Sequence, residues 1–287
     1  MSKILVTGGA GFVGSCLIRE LAKDTQNTIC SLDNYFTGTK ENHIEGVCYV
    51  EGDCCEIAKH ITFAPDVIYH FGEYSRVATS FEDYNIVWKS NIAGTHAVLE
   101  FCKHHNSRLV YSGSSTKFGD NGKNKNCSPY AFHKSQNTDL INNYGDWFGL
   151  DYVICYFYNV YGPGQIRDGK YATVIGIFER QAESSEPITI VSPGTQTRSF
   201  THINDIVSAL LLLKEGGQGD GYCIGNIKTY EINEVAKMFS NNIVYLEQRP
   251  GERLESSIDL SKMQSLGWKP NHSLEEYIKT RRKDNDT

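Results

Sequence analysis

Short unbroken apolar runs alternate along the first half of the chain with stretches whose apolar positions recur at three- and four-residue spacing. Ile4-Leu5-Val6 is such a run, closed by Thr7 and glycines, and Thr28 to Leu32, Val47 to Val50, Val67 to His70, Arg108 to Ser112 and Tyr152 to Phe157 follow. Between them, Ser15 to Lys23 sets Leu17, Ile18 and Leu21 on one helical face, and Asn91 to His105 does the same with Ala93, Ala97, Val98 and Phe101. Tyr130 to Phe148 is a third, longer helical stretch. Strands without polar alternation suit a parallel sheet covered on both faces, and strand alternating with helix predicts an α/β fold. Right-handed crossovers make that sheet doubly wound.

After Tyr161 the pattern loosens. Gly162-Pro163-Gly164 interrupts it; a helix is expected from Thr173 to Ala182, a strand from Ile188 to Val191, and further short elements to the end. Residues 1–160 read as the sheet domain and 161–287 as a smaller lobe interleaved with it, since no Ser/Gly-rich linker, repeat or low-complexity tract separates them. The polar residues Lys283 to Thr287 read as a frayed tail.

Composition narrows the function. A chain of 287 residues with 40% hydrophobic content suits one large domain with a modest second lobe. A net charge of −6 argues against nucleic-acid binding, which ordinarily shows a basic surplus. No apolar run approaches the roughly 20 residues of a membrane span. Met1-Ser2-Lys3 leads straight into the first strand, so no secretory leader is expected. The nine cysteines include no Cys-x-x-Cys pair and are read as reduced, mostly buried thiols of a cytoplasmic protein, with no metal site.

Two local constellations carry chemistry. Thr7-Gly8-Gly9-Ala10-Gly11-Phe12-Val13-Gly14 joins the first strand to the first helix. Glycines there let backbone approach a pyrophosphate, and the helix start supplies amide donors. Asp33 closes the second strand, where a carboxylate accepts from ribose hydroxyls and repels a 2′-phosphate. The expected cofactor is therefore NAD on a Rossmann-type sheet. Further along, Ser128-Pro129 reads as the cap and first residue of the helix that carries Tyr130 and Lys134, four apart and on one face. An ordinary phenol, with a pKa of about 10, is a poor base at neutral pH. Bringing one into range takes about 4 kcal/mol of preferential stabilisation of its anion, which an ammonium, a helix start and a cationic nicotinamide together can supply.

With these motifs the chain resembles the extended short-chain dehydrogenase/reductase family, and within it the nucleotide-sugar epimerases and dehydratases. The likeness runs through the glycine loop, Asp33-Asn34 with Thr37-Gly38, Gly52-Asp53, His70-Phe71-Gly72, Asn91 and the segment Ser112 to Thr116. It implies that Gly8, Gly11, Phe12, Val13, Gly14, Asp33, Asn34, Gly38, Asp53, Cys54, Phe71, Gly72, Asn91, Tyr130 and Lys134 hold NAD, and that Ser114, Tyr130 and Lys134 are catalytic. It further implies that Ser75, Ser114, Ser115, Asn159, Arg198, Arg249 and Glu252 contact a nucleotide-diphosphate sugar, the last two within Arg249-Pro250-Gly251-Glu252. Arg198 to Asp205, Asp259 and Leu266-Gly267-Trp268 fit the same pattern. A homodimer through the helices of Asn91 to His105 and Tyr130 to Phe148 is the family expectation.

The departures are as informative. Dehydratases of the family carry adjacent Asp and Glu where this chain has Ser115 and Thr116, and a hydroxyl does not replace a carboxyl base near neutral pH. Gly72-Glu73 replaces the usual alanine pair. Glu73 reads either as a substrate-contacting acid or as a structural partner of Arg76, and Lys117 either as a surface residue or as one reaching the site. Tyr156 stands where relatives often have arginine. The reading that results is a 4-epimerase: Tyr130 deprotonates the sugar C4 hydroxyl, hydride passes to NAD, and the 4-keto sugar takes it back on its other face. A net C4 dehydrogenase uses the same residues, a 4,6-dehydratase is disfavoured, and a non-enzymatic NAD-binding scaffold would not need Ser114, Tyr130 and Lys134 together.

Overall fold

The computed structural model describes residues 1–248 and 258–285, with side chains described throughout except at 119–124 and 282–285. Seven strands form one parallel sheet: β1 (Ser2–Thr7), β2 (Asn27–Asp33), β3 (Cys48–Glu51), β4 (Val67–His70), β5 (Arg108–Ser114), β6 (Tyr152–Phe157) and β7 (Gly219–Ile224). Their order is β7-β6-β5-β4-β1-β2-β3. The chain thus winds outward one way through β2 and β3, then returns past β1 to β4 and continues the other way. That reversal opens a crevice beyond the carboxyl ends of β1 and β4, where Thr7 lies level with both Leu32 and His70.

The unbroken apolar strands are explained by burial on both faces: Ile4, Leu5, Val6, Ile68, Tyr69, Leu109, Val110, Val153 and Ile154 are all buried. Helices cover the sheet in pairs. α1 (Phe12–Leu21) packs against α5 (Ile203–Glu215), and α2 (Gly94–His105) against α3 (Pro129–Phe148). α1 begins at Phe12, earlier than the periodicity suggests, because the end of the glycine loop is already its first turn. A π-helical turn, Trp88–Ala93, runs directly into α2.

A second apolar cluster gathers Phe178 of α4 (Val174–Glu183), Val235 and Phe239 of α6 (Ile232–Phe239), and Ile188 and Ile190 of a short strand paired in parallel with Ile243–Leu246. α4 starts on Thr173, whose hydroxyl accepts from the Gly176 amide at 3.0 Å. Buried Asp205 ties this part to the sheet: its carboxylate accepts from the Asn271 and His272 amides at 3.1 Å each, and the Trp268 indole donates to its carbonyl at 3.2 Å. That contact accounts for the Leu-Gly-Trp signature late in the chain. β7 returns from this region to the sheet edge beside β6.

Candidate active site

The crevice is a cavity of about 940 Å³, within the size range of small-molecule sites. Gly8, Gly11, Phe12, Val13 and Gly14 line one end with Asp33, Asn34 and Asp53; Ser114, Ser115, Tyr130 and Lys134 line its middle; Asn159, just after β6, and Arg198, from the second lobe, line it as well. Ser75, Phe71 and Gly72 complete the wall after β4.

The glycine end fits NAD on its geometry. Gly8 has φ of +70°, and a side chain there would meet the Phe71 carbonyl carbon and the Gly72 nitrogen at 2.8 Å. At Gly14 a Cβ would stand 2.2 Å from the Gly8 oxygen. The backbone of the loop, the start of α1 and the turn after β4 are therefore drawn together without side chains. Gly11 caps α1 with no side-chain hydrogen bond, so the helix start keeps its amides for an anion. The Asp33 carboxylate accepts from the amides of Ala10 at 2.9 Å and Tyr35 at 2.8 Å, which leaves it capacity for ribose hydroxyls. Burial pushes the Asp33 carboxyl above its usual range against the pull of those amides. At Asp53 burial also acts upward, but the Cys55 amide and the Lys89 ammonium, 2.9 Å away, hold the carboxyl below its usual value.

Three residues expected at the cofactor do not line the cavity. Gly38 packs against Ala10 and Asp33, where a Cβ would be 3.0 Å and 3.1 Å from them. Cys54 is buried beneath Gly72, and burial pushes its thiol up, so it stays neutral. Asn91 clamps the backbone of Tyr74, accepting from its amide at 2.7 Å and donating to its carbonyl at 3.0 Å. These residues shape the wall from behind. Arg249 and Glu252 lie outside the described residues.

α3 presents Tyr130 in its first turn and Lys134 one turn later. Ser128 supplies the cap, its Oγ accepting from the Ala131 amide at 3.1 Å, with Pro129 as first helical residue. Tyr130, Lys134, Ser114 and Ser115 are each less than 10% exposed yet border the cavity. Ser114 Oγ accepts from the Thr116 hydroxyl at 2.9 Å, so the two side chains that replace the dehydratase carboxyls bring no carboxyl group to the reacting centre.

Glu73 lines the cavity, and its structural partner is a different cation from the one expected. It pairs with Lys134, not with Arg76, and both partners are almost fully buried. Its Oε1 also accepts from Thr95 Oγ1, Tyr111 Oη and Asn137 Nδ2, each at 3.0 Å. Lys134 donates in addition to the Ser112 carbonyl at 2.6 Å. His70 joins the network through Thr95 at 3.1 Å and Thr7 at 2.7 Å, linking the glycine loop to the catalytic helix, and burial lowers its pKa to about 4. Burial, then Glu73, push the Tyr111 phenol well above its usual value, which leaves it a hydrogen-bond donor. No local motif signals these partners, which come from β4, β5, α2 and α3. Lys117 reaches neither solvent alone nor the cavity: its ammonium meets Asp220 and the Tyr156 hydroxyl at 3.0 Å and Thr138 at 3.1 Å, pinning the segment after β5 to β7. Asn159, at φ of +31°, donates to the Ser199 carbonyl at 2.7 Å, and Arg198 to the Thr197 carbonyl at 2.9 Å.

Comparison with known proteins agrees with this geometry. A family model described as the NAD dependent epimerase/dehydratase family matches residues 4–225. UDP-glucuronic acid decarboxylase 6 of Arabidopsis thaliana is 32% identical over 96% of this chain and 86% of its own length. A putative UDP-glucose 4-epimerase of Methanocaldococcus jannaschii is 31% identical over 96% of each. The crystal structure of a Thermotoga maritima UDP-glucose 4-epimerase with UDP-glucose superposes with a TM-score of 0.90 at 26% identity, covering 99% of this chain and all of the other. A glycine loop closed on β4, an acid at the end of β2 and a Tyr/Lys pair on one cavity thus meet a family match over most of the chain: it belongs to the NAD dependent epimerase/dehydratase family, with NAD as its cofactor.

Proposed function

We propose that the chain is a nucleotide-sugar 4-epimerase. The observation that carries this reading is the arrangement of Tyr130, Lys134 and Ser114 around one cavity, with Ser115 and Thr116 where elimination would need carboxyls. Ser114 holds the C4 hydroxyl of the sugar through its Oγ. Tyr130 removes the hydroxyl proton as C4 is oxidised and returns it when the 4-ketone is reduced on its other face. Lys134 carries the positive charge that favours the phenolate. NAD, when bound, supplies the site that accepts hydride from C4 and gives it back. Gly8, Gly11 to Gly14 and Asp33 would hold it. Asn159 is assigned to the substrate diphosphate, Arg198 to its nucleotide, Arg249 and Glu252 to its phosphate and ribose, and residues 161–287 to the substrate lobe. Binding energy placed on the diphosphate, away from the reacting ring, leaves the sugar free to turn over.

The same reading makes the protein a cytoplasmic homodimer. No described helix is long and apolar enough to cross a membrane. Phe132, Trp147 and Phe148 of α3 are 42%, 62% and 52% exposed, an apolar surface suited to a partner helix pair, and sedimentation velocity reads the assembly.

The test is to incubate the protein with UDP-, GDP-, dTDP- and CDP-sugars, with and without added NAD, and to identify products by chromatography and mass. Unchanged mass with altered retention is expected, and Tyr130→Phe should cut kcat about 10²- to 10⁴-fold. Loss of two hydrogens with accumulation of reduced cofactor would replace the reading with a net dehydrogenase. Loss of water would overturn the argument from Ser115 and Thr116.

A further inference from the structure

Glu73 follows β4 and Lys134 lies one helical turn after Tyr130, and both line the cavity that Tyr130 and Ser114 border. Four donors converge on the Glu73 carboxylate. Lys134 Nζ meets Oε2, while Thr95 Oγ1, Tyr111 Oη and Asn137 Nδ2 each donate to Oε1 at 3.0 Å. An ionised carboxylate only accepts, so this set of donors fits the charged form of Glu73. The Lys134 ammonium is engaged in turn. Besides Glu73 it has the Ser112 carbonyl at 2.6 Å and the Tyr111 hydroxyl at 3.4 Å. The pair's titratable neighbours His70, Tyr111 and Cys155 stay neutral: burial lowers the imidazole and raises the phenol and the thiol. Glu73 thus sets a full negative charge directly against the ammonium of the Tyr/Lys arrangement. It stands where the family pattern has alanine, so this countercharge belongs to the chain itself.

We propose that Glu73 is a positioning residue that offsets the charge of Lys134 and thereby poises the bound cofactor toward NAD⁺. The inference rests on the reading that the cofactor is reduced and reoxidised where Tyr130 works, which puts the nicotinamide on the same stretch of wall as the pair. Reduction removes the positive charge of the nicotinamide ring. A cation in the wall therefore favours the reduced ring, and an anion favours the oxidised one. Lys134 alone would act in favour of NADH; with Glu73 against it, the pair brings no net charge. One unit of charge counts at this place, because side chains only 5% and 2% exposed are poorly screened by water and salt. Thr95 of α2 and Asn137 of α3 hold Oε1, which fixes the carboxylate where it meets the ammonium. This poise suits an epimerase: sugar alcohol and oxidised cofactor are the resting pair, and a 4-ketone that is promptly reduced again does not leave the site.

The experiment measures the affinity of the full chain for NADH, by its fluorescence, and for NAD⁺, by displacement of NADH, and takes the ratio of the two. The unmodified protein is compared with Glu73→Gln, Glu73→Asp and the double variant Glu73→Gln/Lys134→Met. The unmodified protein is expected to bind NAD⁺ at least as tightly as NADH. Tighter binding of NADH overturns the proposal without any variant, which covers the case of a variant that does not fold. Glu73→Gln leaves the cation alone and should shift the ratio toward NADH roughly tenfold, the order expected of one unit charge in a poorly screened site. Glu73→Asp, which keeps the charge, should recover most of the unmodified ratio. The double variant again has no net charge at the pair, so its ratio should return close to the unmodified one; a double variant that keeps the shift of Glu73→Gln overturns the proposal. Equal weakening of both cofactor forms in Glu73→Gln also overturns it, because a merely structural pair would act on both alike. The parent reading fails separately. If the ratio follows the charge but nucleotide sugars lose two hydrogens or water, the role of Glu73 stands and epimerisation falls. If sugars are epimerised and the ratio does not respond to Glu73, the epimerase reading stands and this one falls.

Discussion

Lys134 and Glu73 meet inside the protein with side chains only 5% and 2% exposed. An ion pair so placed gives little net stability over an apolar pair, yet removing one member leaves a buried charge alone, at a cost of about 3–5 kcal/mol. Glu73→Gln and Lys134→Met should therefore each lower stability by that order. The double variant should be more stable than the sum of the two predicts, by at least 1 kcal/mol, because both charges disappear together. Denaturant unfolding of the four proteins checks this, and additive losses would show that the two side chains act independently. Tyr130 and Lys134 were readable because four-residue spacing on a helix is local, and Asp33 because it ends a strand a fixed distance after the glycine loop. Glu73 was not, because its partners Thr95, Tyr111, Lys134 and Asn137 are assembled only by the sheet and the helix pair that covers it. The Lys117–Asp220 contact hides in the same way, joining the segment after β5 to β7.

The start of α3 decides where Tyr130 stands. Ser128 is buried, and its hydroxyl is the side-chain acceptor for the Ala131 amide. Ser128→Ala would leave that amide without a partner away from water, so the loss should fall in the upper part of the roughly 0.5–2 kcal/mol range for caps. A cap loosened beside the reacting group should also lower kcat more than it raises KM, and Ser128→Asp should restore stability better than Ser128→Gly. An unchanged melting temperature in the alanine variant would mean that packing of the helix alone sets its first turn. Ser-Pro made this boundary legible, and Gly149, at φ of +70°, closes the other end. β7 was illegible for a physical reason. Gly219 and Gly221 take φ of +77° and +99°, and the register shifts between Gly219 and Tyr222, so the segment lacks the apolar continuity that marked the other strands.

At the scale of the whole molecule, strand and helix alternation was enough to reveal the parallel sheet, because burial on both faces is written into each strand. The second apolar cluster was harder to see, since its members run from Tyr161 to Ile278 in short elements. The two parts share a dependence on neutral histidines. His70, fully buried in the sheet, is held between Thr7 and Thr95. His202, at the start of α5, accepts the Asn204 amide on Nδ1 at 3.2 Å and stacks on His272 with ring centres 4.4 Å apart. Burial lowers both to about 4, helped at His202 by His272. In the unfolded chain an imidazole titrates near 6.5. Above that pH both states are neutral and nothing is lost. As pH falls from about 6.5 to about 4 the unfolded chain takes up protons that the folded one refuses, so stability drops across that window and levels off below it. The loss is on the order of 3 kcal/mol for each histidine, a large share of the 5–15 kcal/mol typical of a folded protein. Asp33, raised by burial, acts the other way, but only in the range just above the ordinary aspartate value. Thermal melts between pH 7.5 and 4.5 should therefore show a steady fall beginning near pH 6.5. His202→Asn, which keeps an acceptor near the Asn204 amide but cannot titrate, should flatten that slope without abolishing it, because burial also lowers His70, His133 and His105. A melting temperature constant from pH 7 to 5 would mean that these imidazoles take up protons in place, and that the links from Thr7 to Thr95 and from His202 to Asn204 open without cost.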